Sequence, residues 1–280
     1  MKKIYFLLAA ICPHLISFGQ TDTTGKKPDS ENNRDTIRIG NMIIIKKGGQ
    51  EKYEDTTTVH IEHTHHHRAN LNTNWGIVDL GFSNFTDNTN YASAQAQQFA
   101  PGSSKDWFNL RNGKSVNVNI WFFMQRLNLI KRVVNLKYGL GLELNNYRYE
   151  ESIRYKTNPT VVYKDLTTQY TKNKLATDYL TFPLMLNFNF TPNKDINNSF
   201  GFSAGASAGY LYASRQKYIN NDEGKKKTKD EFDLRPYKIS YIAEVQLGPI
   251  KLYGSLATQS MFEKALDQTP YNVGIRLSNW

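Results

Sequence analysis

Hydrophobic residues alternate with polar or small ones along much of this chain. From Val134 to Leu144 every second residue is bulky and apolar, whereas Asn135, Lys137 and Glu143 occupy positions between them. Successive side chains of a β-strand point to opposite sides. The segment therefore predicts a strand with one apolar face and one charged face.

Eight segments with this alternation follow Asn70, and we predict a strand in each. They lie near residues 74–84, 115–129, 134–148, 175–190, 199–215, 236–247, 250–260 and 271–280. Each is long enough to cross a bilayer, which takes roughly 9–11 tilted residues. The second segment changes its apolar phase, which predicts a bulge near Phe123 to Gln125. Pro183 in the fourth lacks a backbone donor and requires a bulge or an unpaired position.

The connections between these segments alternate between long and short. About 30 residues separate the first two strands, and further long connections lie near 150–174, 216–235 and 261–270, with shorter turns at 130–133, 191–198 and 248–249. Short periplasmic turns and long external loops are typical of outer-membrane barrels. Periodicity alone also fits a soluble barrel with an apolar interior. The loop asymmetry favours an all-β, eight-stranded antiparallel up-and-down transmembrane β-barrel at residues 71–280.

The N-terminus agrees with export. Residues 1–19 combine Lys2 and Lys3 with an apolar run and small residues around Phe18, as in a secretory signal peptide. Cys12 raises lipoprotein processing as an alternative, but Ile11 before it is larger than that signal normally allows. Residues 20–70 are polar and predict a flexible periplasmic segment. Within it, residues 37–47 are either a short strand or hairpin around Gly40 and Asn41 or a transient apolar patch.

Composition narrows the possible partners. Without Lys2 and Lys3 the chain carries 33 basic and 25 acidic residues, a net charge of +8. An exported basic protein is expected to meet anionic lipid or phosphate rather than nucleic acid. No second segment is apolar enough for a transmembrane helix. Since Cys12 is the only cysteine, we expect no disulfide in the mature chain.

One strand resembles a known family. The sequence YLTFPLMLNF at Tyr179–Phe188 is similar to a strand of the PorT-like family of small Gram-negative outer-membrane barrels, with Phe182 where isoleucine is usual. The first strand, beginning Trp75-Gly76, and the terminal Trp280 also resemble that family, although Trp280 falls out of the apolar phase of its strand. The resemblance covers roughly residues 71–280. It implies an outer-membrane barrel and a link to secretion, and it leaves the role open because the family shares architecture more than activity.

The predicted barrel, residues 71–280, contains no histidine and no cysteine. All six histidines lie at or before His67, so a Ser-His or Cys-His mechanism would require the N-terminal segment to fold back. We therefore predict a protein that is not an enzyme. The histidine-rich run comprises His60, His63, His65, His66 and His67. Such tracts bind zinc, copper or nickel, but this spacing matches no structural or catalytic zinc pattern. We therefore expect weak adventitious binding by a flexible segment, with functional periplasmic metal capture as the alternative. No other cofactor is expected.

The charged faces of the strands point into the predicted barrel. They carry six charges that we predict to form an interior polar network: Lys137, Glu143, Lys238, Glu244, Lys251 and Arg276. Eight strands leave an interior that side chains can fill, which favours paired charges over a pore, with conduction as the alternative. The lysine-rich residues 222–229 are expected in a solvated external loop, with bridging of lipid phosphates by these lysines as the alternative. A group of tyrosines predicts an interfacial girdle: Tyr147, Tyr149, Tyr155, Tyr163, Tyr210, Tyr212 and Tyr218.

Together these features predict a protein of the outer membrane with a periplasmic N-terminal segment. Its expected role is a non-enzymatic scaffold or adaptor that contacts membrane lipid and other envelope or secretion proteins. A narrow channel or small-solute transporter is the alternative.

Overall fold

The computed structural model describes residues 69–194, 198–222 and 224–278, together with the backbone of residues 34–39 and 42–47. The chain divides into two compact units, Met1–His67 and Arg68–Trp280. The predicted signal peptide, the five clustered histidines and Trp280 lie outside the described residues. In the described part of the chain no helix is long and apolar enough to cross a membrane.

The described residues form mainly β-strands, with one short α-helix and two 3-10 helices. The strands are β1 (Arg34–Ile39), β2 (Met42–Lys47), β3 (Leu71–Asp87), β4 (Val116–Ile130), β5 (Val134–Arg148), β6 (Ile153–Lys156), β7 (Val161–Lys164), β8 (Lys172–Asn189), β9 (Phe200–Asn220), β10 (Gly224–Lys229), β11 (Tyr237–Leu247), β12 (Ile250–Ala257) and β13 (Gln268–Leu277). Helix α1 spans Ala94–Phe99, and the 3-10 helices span Lys105–Phe108 and Asn112–Lys114.

In the first unit, β1 and β2 pair antiparallel, and the innermost pair is Ile39 with Met42. The hairpin interpretation of residues 37–47 is therefore confirmed, with its first strand starting three residues earlier, at Arg34.

In the second unit, eight long strands close into a barrel. Their order is β3-β4-β5-β8-β9-β11-β12-β13, and β13 pairs with β3 to complete the ring. Every neighbouring pair of the ring is antiparallel. Closure gives both edges of each strand a partner. The predicted eight-stranded antiparallel up-and-down barrel is confirmed.

The exterior of the barrel is apolar, as the alternation predicted. Leu80, Phe182 and Ile239 expose 50%, 45% and 58% of their surface. Their neighbours Asp79 and Ser240 are buried on the interior face. A surface of large apolar side chains of this kind suits contact with lipid tails rather than with water.

Two irregularities were predicted from the sequence. The β4–β5 register shifts between Trp121 and Phe123, so the bulge lies at Phe122, one residue before the predicted range. Pro183 pairs with Ser207 of β9, but the β5–β8 register has no pairs between Leu184 and Thr181. The proline therefore occupies an unpaired position on its β5 side, as its missing donor requires.

Long and short connections lie at opposite ends of the barrel. The long-loop end consists of four connections, at residues 88–115, 149–171, 221–236 and 258–267. It contains α1, the β6–β7 hairpin and β10. The turns at 131–133, 190–199 and 248–249 form the short-turn end, where β3 begins and β13 ends.

Candidate functional site

The barrel interior holds the first candidate site, a network of buried charges. Lys137 Nζ donates to Glu244 Oε1 at 2.5 Å, and both side chains are at most 5% exposed. Glu244 also accepts from Arg276 Nη1 through its second carboxylate oxygen. These three predicted residues come from β5, β11 and β13, so their contacts cross the lumen between distant strands.

Asp79 completes this part of the network, and sequence reasoning missed it. Its Oδ1 accepts from Arg276 Nε at 2.7 Å and its Oδ2 from Nη2 at 2.8 Å. Trp121 Nε1 and Asn119 Nδ2 also donate to Oδ2, at 2.7 and 3.1 Å. Such a bidentate pair fixes the guanidinium plane as well as neutralising it. Asp79 lies between Val78 and Leu80, so the alternation of β3 held the signal that could have revealed it.

Glu143 forms a second focus in the lumen. Its Oε1 accepts from Lys238 Nζ, from Asn145 Nδ2 at 3.1 Å and from Asn272 Nδ2 at 3.0 Å. Lys251, the last of the six predicted charges, donates to Ser278 Oγ at 2.5 Å. The structure thus places all six on the interior face and gives each of them a polar partner.

Apolar side chains fill further lumen space. Ile77, Trp121, Met124 and Met185 form a buried cluster against Ile242. At the short-turn end the lumen widens into a polar cavity of about 390 Å³, lined by Arg126, Asn128, Arg132 and Asn135 among others. Packed side chains thus fill the interior of the barrel, and the pairing of the buried charges avoids the cost of leaving any of them without a partner.

The long-loop end carries a second candidate site, a cap with its own apolar core. Fifteen buried residues form this core: Phe99, Ala100, Phe108, Leu110, Tyr147, Tyr149, Ile153, Tyr155, Val162, Leu175, Phe232, Leu234, Met261, Phe262 and Leu266. They come from all four long connections and from strand ends beneath them. We call this assembly the loop cap. The four connections therefore pack as one body over the barrel.

The predicted tyrosine girdle is wrong for four of its seven members. Tyr147, Tyr149, Tyr155 and Tyr218 are buried. Tyr149 and Tyr155 share a hydroxyl–hydroxyl hydrogen bond of 2.8 Å, and burial raises the pKa of both loop phenols. Tyr147, Tyr149 and Tyr155 belong to the cap core, and the Tyr218 ring stacks on that of Tyr170. The alternation within single strands does not reveal these contacts.

Exposed tyrosine rings lie on the outer surface of the barrel wall, just below the loop cap. Tyr210 and Tyr212 are 44% and 48% exposed, and the Tyr210 ring lies 5.5 Å from that of Tyr237 on β11. These positions suit the membrane interface. Tyr163 is partly buried in the β6–β7 hairpin.

A cleft of about 590 Å³ opens in the surface of the loop cap, with every long connection contributing to its walls. Asp230, Asp233 and Lys264 line it together with the buried ring of Phe232. Phe232 and Asp233 have φ values of 52° and 54°, and two further lining residues, Asn158 and Ala265, also have positive φ. Such backbone persists where surrounding packing holds it. The cap thus presents a fixed concave surface of mixed polarity.

Other chemistry suggested by the sequence is not assembled in the described residues. Within residues 69–194, 198–222 and 224–278 no three acidic, histidine or cysteine side chains come together as a metal site. In the 149–171 connection, Glu151 forms an ion pair with Lys164 at 2.7 Å. Zinc, copper or nickel binding by the five histidines stays a prediction.

Comparison with known protein families gives a match over much of the chain. The model of the outer membrane protein beta-barrel domain matches residues 68–263, which is most of the barrel and nearly all of the loop cap. A search of curated proteins found no match.

Proposed function

Because the chain belongs to the outer membrane protein beta-barrel domain family, we propose that this outer-membrane barrel is a non-enzymatic adaptor. Its wall anchors the loop cap in the membrane, and the cap is the surface that meets other envelope components. The observation that carries this proposal is the common apolar core of the four long connections. Loops that only need to be solvated do not require such a core, whereas a recognition surface gains from a fixed shape.

The proposed orientation follows the general rule for this architecture. Long loops of bacterial outer-membrane barrels are external and short turns are periplasmic. The loop cap would then face the cell exterior, and the segment before β3 would be periplasmic. The likeness of Tyr179–Phe188 to the PorT-like family supports a role connected with secretion.

The alternative is a narrow channel, and the lumen argues against it. The pair Lys137–Glu244 reaches across the interior, and Arg276 joins Glu244 to Asp79 on the strand next to its own. Opening a path through this network would leave charges unpaired at a high energetic cost. Purified full-length protein in planar bilayers should give no steady conductance steps. Steps that change with Glu244→Gln would establish the channel reading instead.

Partner capture tests the adaptor directly. Intact cells are cross-linked, the protein is extracted in mild detergent, and co-purified proteins are quantified. We expect a stoichiometric envelope partner that is lost when Asp230→Asn and Asp233→Asn alter the cleft. The paired variant Asp106→Asn with Asp267→Asn removes two exposed loop carboxylates outside the cleft lining and should retain it. Equal capture by both variants would refute the cleft as the contact surface.

A further inference from the structure

A cationic surface lies at the long-loop end of the barrel, where strands β5, β8 and β9 extend beyond the apolar exterior. The β8–β9 register shifts at Asp178/Tyr179, and this bulge reverses the phase of β9. Beyond it, Gln216 and Tyr218 turn inward and are buried, which leaves Arg215 and Lys217 on the outward face. Without the bulge, the alternation that starts at Phe200 would continue, and Arg215 and Lys217 would point into the barrel.

β10 extends this surface by one more strand. Lys227 pairs with Lys217 and Lys229 with Arg215 in the β9–β10 register. The lysine run predicted as a solvated loop is therefore an edge strand, and it extends the part of the sheet formed by β5, β8 and β9. We call the outward side of this part of the sheet the cationic face, and it comprises Arg148, Lys172, Lys174, Arg215, Lys217, Lys225, Lys227 and Lys229.

The charges of this face oppose one another directly. Arg148 pairs with Lys174, Lys174 with Lys217, and Lys217 with Lys227, so one row of cations crosses four strands. Neighbouring strands lie about 4.8 Å apart, and like charges directly opposite each other destabilise a sheet.

The protein offsets only part of this repulsion. Asp178 forms an ion pair with Arg215, and it is the only carboxylate at an outward position among the described residues of these four strand ends. Lys174 donates to the amide oxygen of Asn146, and Arg148 Nη2 donates to the carbonyl of Thr171 at 2.8 Å. These neutral acceptors leave most of the positive charge of the row in place, where an external anion can neutralise it.

The position of the cationic face indicates which kind of anion it binds. Directly below it on the same strands lie the exposed Leu180 and Phe182 and the interfacial ring of Tyr210. The cationic face therefore starts where the lipid-facing surface ends, at the level of lipid headgroups. We propose that it binds the phosphate groups of outer-leaflet lipid, with the acyl chains of the same lipid lying against the apolar exterior below. This inference rests on the orientation in the proposed function.

The test uses full-length protein folded in zwitterionic detergent micelles and lipid A with two phosphates as the probe. The triple variant Lys174→Gln, Lys217→Gln and Lys227→Gln should bind it at least about tenfold more weakly, since it removes three of the cations that face the lipid phosphates. The same variant should melt no lower than wild type without lipid, because it removes like-charge repulsion. The matched control is Lys105→Gln, Lys114→Gln and Lys264→Gln, three exposed lysines of the same end outside the face. It should bind as wild type does.

Three outcomes would overturn the proposal. They are equal binding by the two triple variants, equal binding of dephosphorylated lipid A by wild type, and full competition by millimolar inorganic phosphate, which would indicate a site for free phosphate. Failure of the orientation is distinguishable, because binding in micelles does not depend on it. Protease treatment of intact cells tests the orientation by itself, since an external loop cap should be the part that is exposed to cleavage.

Discussion

The lumen of the barrel and the core of the loop cap are both buried, yet they are built from opposite residue types. Asp79, Glu143 and Glu244 are buried inside the wall, whereas Phe99 and Phe232 are buried inside the cap. The difference follows from what surrounds each region. Apolar side chains of the wall are already favourably placed against lipid tails, so polar groups occupy most of the interior, beside the small apolar cluster around Trp121 and Met124. Water surrounds the loops, and there burial of aromatic rings stabilises the fold.

This contrast predicts different failure modes. A change that leaves a lumen charge without its partner should weaken the whole barrel, because the network joins strands that are distant around the ring. A change in the cap core should loosen the connections and leave the barrel closed. Three substitutions test this difference, and they are ordered here by expected effect.

The largest effect is expected for Asp79→Leu. The change removes both acceptors of the bidentate contact and leaves Arg276 buried without that partner. Breaking a buried pair in this way costs about 3–5 kcal/mol, and the free energy of unfolding should fall by this amount. Urea titration in detergent micelles measures it, with the electrophoretic shift of the folded barrel as the readout.

The double variant Asp79→Leu with Arg276→Met is the control for that experiment. Removing both charges should recover most of the lost free energy, because no guanidinium is left buried without its bidentate partner and Glu244 still pairs with Lys137. A double variant as unstable as the single one would show that packing around Asp79, rather than charge pairing, stabilises the lumen.

The second prediction concerns Phe232→Ala in the cap. The Phe232 side chain is fully buried and its ring lies 5.3 Å from that of Tyr155. Removing a buried phenylalanine ring costs about 3–5 kcal/mol, but here the loss should fall on the cap alone. Trypsin should cleave the long connections faster, while the barrel keeps its electrophoretic shift.

Leu166→Ala provides the matched control, because Leu166 is a loop residue with 86% of its surface exposed. Its cleavage rate should equal that of wild type. Simultaneous loss of cap protection and electrophoretic shift in Phe232→Ala would mean that cap and barrel unfold as one unit, against the comparison drawn above.

The wall could be predicted from the sequence because its rules are local. Period-two alternation, connection lengths and the donor that Pro183 lacks can each be read within a few residues, and the eight strands follow from them. Asp79 follows from the same rule, because the alternation of Val78, Asp79 and Leu80 places its carboxylate on the interior face.

The cap and the cationic face could not be read in this way. Phe99, Tyr155, Phe232 and Phe262 lie in four separate connections, and no short-range pattern states that they meet. The cationic face depends on one bulge at Asp178/Tyr179, which reverses the phase of β9 and brings Lys217 opposite Lys174. A single-residue irregularity of this kind moves every later side chain to the other face.

The smallest predicted effect concerns Ser93→Ala at the start of α1 in the cap. Ser93 Oγ accepts from the backbone N–H of Ala96 at 3.2 Å, and loss of such a helix cap costs about 1 kcal/mol. Ser104→Ala is the matched control, since Ser104 precedes a 3-10 helix without a side-chain capping bond. Amide hydrogen exchange should quicken about fivefold at residues 96–99 in the first variant and stay unchanged in the second. Equal exchange in both would mean that packing of Phe99, not the capping bond, holds this helix, so that the cap would depend on its aromatic core even at its edge.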